Sequence, residues 1–267
     1  MGALIIPAAG VGSRLQSSGP KVLHPVNGRP MLDYLFALYG DEVQRIVLVV
    51  RPVDLAQVRD ACAQAPVPCA FAVQESPTGM LDAILLARDA LAADPPDRVW
   101  ITWCDQIAIQ RDTVRRLREA SAAAPASAPA PAPALVMPTA MRREPYIHLA
   151  RDAGGRIVRV LHRREGDAMP DEGETDAGLF SLSRAAYLDL LPQFAAAATP
   201  HGAATRERNF LPFIPWLHAR AEVRTFPCVS WIESVGVNTL EDVALVAPHL
   251  PTLPPHARPP VDRHPGL

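Results

Sequence analysis

Residues 3–24 read ALIIPAAGVGSRLQSSGPKVLH, and this stretch decides the fold. It begins with a short apolar run that is typical of a buried strand. Two closely spaced glycines, an arginine and a lysine follow at once, without regular periodicity. In open α/β sheets a ligand binds beyond the carboxyl ends of the strands. The stretch therefore predicts an α/β protein whose first strand ends in an anion-binding turn.

Short apolar runs and amphipathic stretches alternate through the first half of the chain. The apolar runs predict strands over Ala3–Pro7, Arg45–Val50, Cys69–Val73, Arg98–Trp103 and Leu135–Met137. The stretches between them predict helices over Pro30–Leu38, Val53–Ala63, Gly79–Leu91 and Asp112–Ala122. This order predicts an α/β fold with three α/β/α layers and a mixed, mainly parallel central sheet.

The second half of the chain has a different order of predicted strands and helices. Residues 146–166 predict two strands joined by an Asp-Ala-Gly-Gly turn, and residues 174–183 predict a further strand. Helices are expected near Arg184–Leu191 and Asn209–Arg220. The Ala/Pro-rich run 121–134 is expected to be an exposed loop within one domain, residues 1–250, and the Pro-rich residues 251–267 a flexible tail.

Composition narrows the classes of function. The chain has 267 residues and a formal net charge of −2, so no basic field indicates a nucleic-acid or anionic-membrane partner. Its four cysteines form no C-x-x-C pair, which argues against a zinc or redox motif and for reduced thiols. The first apolar run is too short to span a bilayer and lacks a basic flank. A cytoplasmic location is expected.

Three phosphate-binding motifs compete for the glycine-rich turn. A dinucleotide-binding G-x-G-x-x-G motif fits Gly10 and Gly12 but meets Leu15 at the third glycine. A P-loop needs Gly-Lys-Ser/Thr at the start of a helix, whereas Pro20 directly precedes Lys21. The remaining interpretation is a flexible Gly-x-Gly turn whose successive N–H groups form a nest for an anion.

The two cations of the stretch extend that interpretation. Arg14 and Lys21 lie seven residues apart, which suits an extended polyphosphate better than a single phosphate. A tight strand–helix turn with two surface cations remains the alternative.

At this point the sequence resembles a family. Gly10–Arg14 together with Pro20–His24 is similar to the nucleotidyltransferases that make nucleotide sugars, in particular the uridylyltransferase domain of bifunctional N-acetylglucosamine-1-phosphate uridylyltransferase. The resemblance continues through Gln74, Thr78-Gly79, Asp105 and Glu233–Val243, and it covers about residues 3 to 247. It implies a Rossmann-like nucleotidyltransferase fold. The left-handed β-helix acetyltransferase domain is expected to be absent.

The resemblance also implies site residues. Arg14 and Lys21 match the catalytic residues that grip the triphosphate. Nucleotide-binding roles fall on Ala8, Ala9, Gly10, Gly12, Gln74, Thr78 and Gly79. Asp105 and Asn238 match the two ligands of a catalytic Mg²⁺, the implied cofactor, which prefers oxygen ligands and keeps several waters.

Simpler structural roles remain open for some of these residues. Asp105 could be the N-cap of the helix that follows it, and Asn238 could cap a helix that begins near Leu240. Gln74 could be an ordinary surface residue.

The implied reaction transfers NMP from an NTP to a phosphate oxygen and releases pyrophosphate. UTP is favoured and CTP possible, and the acceptor is a sugar 1-phosphate or a related small phosphate. The nucleophile is already an anion at neutral pH, so no general base is needed. Cations and in-line positioning lower the barrier.

The acceptor-binding positions depart from the family pattern. Ile147 stands at a glycine that contacts the sugar, His162 at a glutamate, and Asp176 at an asparagine, while Cys104 replaces the glycine before the metal aspartate. These changes predict that N-acetylglucosamine 1-phosphate is not the main acceptor. A cytidylyltransferase acting on a non-sugar phosphate or phosphonate, and a catalytically inactive nucleotide-binding module, are the alternatives. The oligomeric state is left open.

Overall fold

The first strand, β1 (Gly2–Pro7), lies inside the central sheet of the computed structural model. The structure describes residues 2–10, 12–15, 19–122, 132–197, 202 and 204–253. Leu4 and Ile6 pack into the core on one face of the sheet, and Ala3 and Ile5 pack into the core on the other. A strand covered on both faces needs apolar residues at every position, which explains the uninterrupted apolar run.

The described residues contain twelve strands. After β1 they are β2 (Pro25–Val26), β3 (Arg29–Pro30), β4 (Val43–Val50), β5 (Cys69–Val73), β6 (Arg98–Thr102), β7 (Leu135–Arg143), β8 (Ile147–Arg151), β9 (Ile157–His162), β10 (Glu172–Asp176), β11 (Leu179–Ser183) and β12 (Val223–Pro227). Eight of them form the central sheet: seven follow the order β10-β7-β11-β6-β1-β4-β5, and the eighth, β12, also pairs with β7.

Within this sheet, β1, β4, β5 and β6 run parallel to one another, and β12 runs parallel to β7. Strands β10 and β11 pair antiparallel with β7, and β11 pairs antiparallel with β6. The sheet is therefore mixed and mainly parallel, as the sequence predicts.

The α-helices of the described residues flank the sheet. They are α1 (Met31–Tyr39), α2 (Leu55–Ala61), α3 (Met80–Leu86), α4 (Arg88–Ala92), α5 (Arg111–Ser121), α6 (Leu191–Ala197), α7 (Phe213–His218) and α8 (Leu240–Val246). Buried side chains of α1, α2, α5 and α8 belong to one core, and those of α3, α4, α6 and α7 belong to the other. The three α/β/α layers are confirmed.

Two predicted elements are interrupted. The helix expected over Gly79–Leu91 is divided into α3 and α4, and the Tyr187 hydroxyl donates to the Ile84 carbonyl at 2.9 Å near the division. The single strand expected over residues 174–183 breaks at Gly178, which has φ +67°. Its two pieces, β10 and β11, both pair with β7.

Other boundaries differ from the sequence-based expectation. Strand β7 continues well beyond Met137, and the helix expected over Asn209–Arg220 is limited to α7. The helix expected near Arg184–Leu191 is a π-helical turn, Ala186–Leu190, that leads into α6. The strand pair and turn expected over residues 146–166 are present as β8 and β9.

The Ala/Pro-rich run and the tail lie mostly outside the described residues, so those two expectations stay predictions. All four cysteines are free. No helix in the described part of the chain is long and apolar enough to cross a bilayer.

Candidate active site

A lysine, a carboxylate and an amide from three distant segments meet at one point. Lys21 Nζ donates to Asp105 Oδ2 and, at 2.7 Å, to Asn238 Oδ1. Arg14 Nη2 donates to the same Asn238 oxygen at 3.3 Å from an exposed position. We call these four residues the phosphate end. The structure thus brings together the two cations and the two oxygen ligands that the resemblance implies.

Burial and charge act in opposite directions on the pKa of Lys21, a residue that is 8% exposed. Burial lowers the pKa of the ammonium, but the charge of Asp105 and the hydrogen bond to it outweigh that effect and raise the pKa above its usual value. Lys21 is therefore a fixed cation at neutral pH. The neighbouring Cys104 thiol is buried, and burial raises its pKa to about 12, so it stays protonated.

A backbone hydrogen bond holds the segment of Asp105 beside that of Asn238. The Val237 amide donates to the Asp105 carbonyl at 3.0 Å. At Gly236 an added Cβ would lie 3.2 Å from the Asp105 carboxyl carbon, so a larger residue there would push the carboxylate away by a few tenths of an ångström. The next helix, α5, begins at Arg111 with Gln110 at its N-cap, which excludes the simpler role of Asp105 as a cap.

The N-terminus of α8 fixes the backbone of Asn238. Thr239 is the N-cap, and its side chain and that of Asp242 form a reciprocal capping box. Asp242 Oδ2 also accepts from the Asn238 amide at 2.9 Å. Asn238 is therefore not the cap, and its side chain is free to reach Lys21.

The glycine turn is shaped around Lys21. Gly12 has φ +62°, and an added Cβ there would lie 3.0 Å from the Lys21 Cβ. Gly10 is exposed, with open space where a Cβ would stand. The amide of Ala8 donates to the Val49 carbonyl at 2.7 Å and so extends the sheet. The amides available for an anion therefore begin at Ala9.

Gln74, Thr78 and Gly79 form a second cluster. Gln74 is 7% exposed, and its Nε2 donates to the Gly79 carbonyl at 3.0 Å and to the Thr78 hydroxyl at 3.3 Å. Its surface interpretation is therefore wrong. Both amide hydrogens of Gln74 are engaged, so its Oε1 is the atom that could read a nucleobase.

The backbone conformation at Gly79 and its contact with a distant segment both require a glycine. It has φ +121°, and an added Cβ would collide with the backbone of Arg208. Backbone bonds close this contact, since the Arg208 amide donates to the Thr78 carbonyl at 2.7 Å and the Leu81 amide donates to the Arg208 carbonyl at 3.0 Å. Arg208 also pairs with Asp82. The segment around residue 208 is thus fastened to the start of α3.

Two of the three predicted acceptor positions are cross-strand partners. Ile147 on β8 lies opposite His162 on β9. The His162 ring stacks edge-on against Tyr146 at 5.0 Å, and its Nδ1 lies 3.3 Å from Asn209 Nδ2. Burial lowers the pKa of His162. We call the β8–β9 hairpin and residues 204–210 the acceptor side.

Asp176, the third position, is 6% exposed at the end of β10. Its Oδ1 accepts from the Gly178 amide at 2.8 Å, which fixes the break between β10 and β11. Burial raises the pKa of Asp176 to about 6, although the hydrogen bond from Gly178 opposes the shift. Asp176 therefore has a structural role, and its role in acceptor binding stays a prediction.

Three residues of this region were missed at the sequence level: Asn209, Gly236 and Asp242. The capping pattern Thr-x-x-Asp at 239–242 could have revealed Asp242. The type of residue 21 is a further signal in the sequence. Lys21 is the only lysine among the 26 lysine and arginine residues of the chain. A chain that otherwise uses arginine keeps one compact ammonium at this point.

Two surface cavities accompany these clusters. One, of about 470 Å³, is lined by Gln74, Thr78 and the carboxylates of Glu75, Asp82 and Asp89. These carboxylates would repel a triphosphate, so only an uncharged part of a ligand suits this cavity. The other, of about 440 Å³, lies along β7, β10 and residues 225–231.

The oxygen atoms of Asp105 and Asn238 suit a hard divalent cation. Both already accept from the same ammonium, so both are directed at one cationic centre. Mg²⁺ takes oxygen ligands, of which a few from protein suffice when phosphate and water supply the rest. In the described ranges no group of three or more His, Cys, Asp or Glu side chains could hold a metal. Any metal here would therefore depend on the substrate for its remaining ligands.

Comparison with known proteins relates this geometry to a family. Residues 4–169 match the family model described as a MobA-like NTP transferase domain. Among curated relatives, the bifunctional protein GlmU of Kineococcus radiotolerans is 30% identical over 191 residues, which cover 71% of this chain and 38% of the relative. GlmU of Burkholderia multivorans is 34% identical over 170 residues, which cover 63% of this chain and 34% of the relative.

A third relative, GlmU of Desulfotalea psychrophila, is 30% identical over 187 residues, which cover 68% of this chain and 52% of the relative. The matches thus span about a third to a half of the length of these relatives. The family model covers more than half of the chain. The chain belongs to the MobA-like NTP transferase domain family, which confirms the nucleotidyltransferase resemblance seen in its glycine-rich turn.

Proposed function

We propose that residues 1–250 form a nucleotidyltransferase domain that transfers NMP, with UTP favoured over CTP, to a small phosphate and releases pyrophosphate. One observation carries the proposal: Lys21, Asp105 and Asn238 converge at the phosphate end. A buried ammonium beside two oxygen ligands is suited to two polyanions that must meet there. An inactive binding module has no need of this arrangement.

In the proposed reaction an oxygen of the acceptor phosphate attacks the α-phosphorus of the NTP. The new P–O bond forms as the bond from the α-phosphorus to the bridging oxygen breaks, and pyrophosphate leaves with the electron pair. Lys21 and Arg14 hold the charged oxygens, while backbone amides of the glycine-rich turn bind the phosphates through hydrogen bonds. Asp105 and Asn238 would hold Mg²⁺, which supplies further positive charge to the phosphates when bound.

The acceptor is proposed to be a phosphate other than N-acetylglucosamine 1-phosphate. A branched side chain at Ile147 and a half-buried imidazole at His162 line one side of the proposed acceptor site. A second candidate function, cytidylyl transfer to a non-sugar phosphate or phosphonate, is favoured by Ile147, whose branched side chain stands where the family pattern has a glycine that contacts the sugar.

A pyrophosphate-release screen tests the proposal. It combines four NTPs with N-acetylglucosamine 1-phosphate, glucose 1-phosphate, choline phosphate and 2-aminoethylphosphonate, each with Mg²⁺ and with EDTA. We expect metal-dependent release with UTP and an acceptor other than N-acetylglucosamine 1-phosphate. Preference for CTP with choline phosphate or the phosphonate would establish the second candidate. Best turnover with N-acetylglucosamine 1-phosphate would contradict the acceptor assignment, and no release with these or with carboxylate-bearing phosphates would support a binding module.

A further inference from the structure

The imidazole of His162 has one fixed partner. Asn209 Nδ2 lies 3.3 Å from His162 Nδ1, and Asn209 Oδ1 accepts from the Leu211 backbone amide at 3.0 Å. A backbone amide can only donate, so the oxygen of Asn209 must face Leu211. The NH₂ group of Asn209 is therefore the atom group that faces His162.

This arrangement selects one tautomer of His162. A protonated Nδ1 would place its N–H against the NH₂ of Asn209, with two donors facing each other. A neutral imidazole with a bare Nδ1 accepts the hydrogen bond from Asn209, and its proton then resides on Nε2. Nε2 has no hydrogen-bond partner among the residues that the structure describes. It is left as a donor for a ligand.

The charges around His162 are compatible with a neutral ring. Burial lowers the pKa of His162 most strongly, and Arg164 lowers it further, against the carboxylates of Glu165, Asp167 and Glu207. Each carboxylate has other donors: Glu165 accepts from residues 204 and 205, Asp167 from Arg159 and the His162 backbone amide, and Glu207 from Arg164. The tautomer therefore does not depend on an unpaired acid.

The acceptor side is connected to the phosphate end through a short chain of packed residues. Asn209 follows Arg208, which is bonded to the start of α3, and it precedes Phe210. The Phe210 ring packs against Trp103 at 6.0 Å, and Trp103 stands two residues before Asp105. His162 is thus supported by the same segment that packs beside the end of β6.

We propose that Asn209 is a positioning residue that holds His162 as a neutral Nε2–H donor, and that this donor selects an acceptor phosphate bearing a carboxylate. The inference rests on the proposed function, because it takes the acceptor side as the place where the second substrate binds. An Nε2–H donor binds an anionic oxygen more strongly than the oxygen of a neutral hydroxyl, and it offers nothing to an ammonium.

Histidine NMR tests the tautomer without any need for turnover. Proton–nitrogen correlation spectra of the imidazole rings identify which nitrogen carries the proton, and the His162 signals are those lost in His162→Gln. We expect the Nε2–H form for His162. His148 is the internal control, because its Nδ1 lies 3.2 Å from the Glu174 carbonyl and must carry the proton there. An Nδ1–H form of His162 would overturn the proposal whatever the enzyme does.

The variant Asn209→Asp reverses the polarity with little change in shape. One carboxylate oxygen can still accept from Leu211, while the other faces Nδ1 and favours its protonation. We expect the His162 pKa to rise by about one unit or more and Nδ1 to carry a proton, whereas Asn209→Leu should give a mixture of tautomers. An unchanged His162 spectrum in Asn209→Asp would show that Asn209 does not set the tautomer.

Matched substrates test the selected chemistry. Glucuronate 1-phosphate is compared with glucose 1-phosphate, and 2-phosphoglycolate with phosphoethanolamine, by kcat/KM and by the shift of the His162 Nε2 signal on binding. We expect the carboxylate member to be preferred about tenfold or more, with the preference lost in Asn209→Asp. Equal use and equal binding would overturn the substrate class. Specific binding of the carboxylates without pyrophosphate release from any NTP would preserve this inference and contradict the proposed function.

Discussion

At the phosphate end, a buried ammonium, a carboxylate, an amide and a guanidinium are joined by hydrogen bonds. On the acceptor side, by contrast, His162 is held by an amide, an aromatic edge and a strand partner. In the proposed reaction every NTP brings the same triphosphate, so full charges suit that end. Acceptors differ in shape and polarity, and neutral directional groups discriminate between them with a smaller desolvation cost.

The largest expected effect tests whether the phosphate end needs a compact ammonium. We expect Lys21→Arg and Lys21→Met each to lower pyrophosphate release by about 10²–10⁴-fold. The planar guanidinium cannot occupy the point between Asp105 and Asn238 beside Gly12 as the ammonium does. Steady-state rates with UTP measure the loss, and circular dichroism checks the fold. A Lys21→Arg variant with more than about a tenth of the wild-type rate would show that charge alone suffices.

The second prediction tests whether the acceptor side depends on the contact between residue 208 and the start of α3. Gly79→Ala forces a side chain into a positive-φ conformation and against the backbone of Arg208. We expect the free energy of unfolding to fall by about 2–4 kcal/mol in urea denaturation. Gly155→Ala is the matched control, because its φ is +80° but an added Cβ meets open space. That variant should lose only about 1–2 kcal/mol.

Equal losses at Gly79 and Gly155 would mean that the contact with Arg208 contributes nothing beyond the backbone strain. A greater loss at Gly79, accompanied by a change in the His162 imidazole signals, would show that the acceptor side depends on the fastening at residue 208.

The elements of the fold differ in how well the sequence predicts them. The apolar run of β1 and the turn between β8 and β9 were readable, since burial on both faces and Asp-Ala-Gly-Gly are local signals. The break between α3 and α4 was not, because no glycine or proline marks it, and the Tyr187 hydroxyl that donates to Ile84 beside it comes from the second half of the chain. Local patterns predict elements, and distant partners decide where they stop.

The candidate site likewise has one part that could be predicted from the sequence and one part that could not. The resemblance placed Lys21, Asp105 and Asn238 in one site, and the structure brings their side chains together. Residue type alone did not reveal the polarity of His162, because Asn209 and the backbone amide behind it determine which nitrogen carries the proton. Their roles in catalysis and acceptor binding stay predictions.

The third prediction concerns the buried carboxyl of Asp176. Its folded pKa, about 6, lies above the unfolded value near 3.8, so its contribution to stability is complete below pH 3.8 and is lost as the pH rises through 6. Asp176→Asn cannot ionise and keeps an oxygen for the Gly178 amide. Relative to wild type, this variant should therefore gain about 1–3 kcal/mol between pH 4 and pH 7.

Urea denaturation at several pH values measures this gain, with the exposed Asp60→Asn as a control that should show none. If the difference between wild type and Asp176→Asn is the same at pH 4 and pH 7, the carboxyl is already ionised or protonated throughout that range. Such a result would show that burial does not bring the pKa of Asp176 into this range, and Asp176 would then not differ in this respect from the charged groups of the phosphate end.

The smallest expected effect tests how Asn238 is held. Asp242→Ala removes the acceptor of the Asn238 amide and half of the capping box at α8. We expect a loss of about 1 kcal/mol in stability and a fall of only a few-fold in turnover, because the Asn238 side chain keeps its bond to Lys21. Asp112→Ala, an acid in the first turn of α5, is the matched control and should leave turnover unchanged. If Asp242→Ala lowered turnover as much as Lys21→Met, the position of Asn238 would depend on the cap of α8 more than on the charges around it, and the phosphate end would be held in the same manner as the acceptor side.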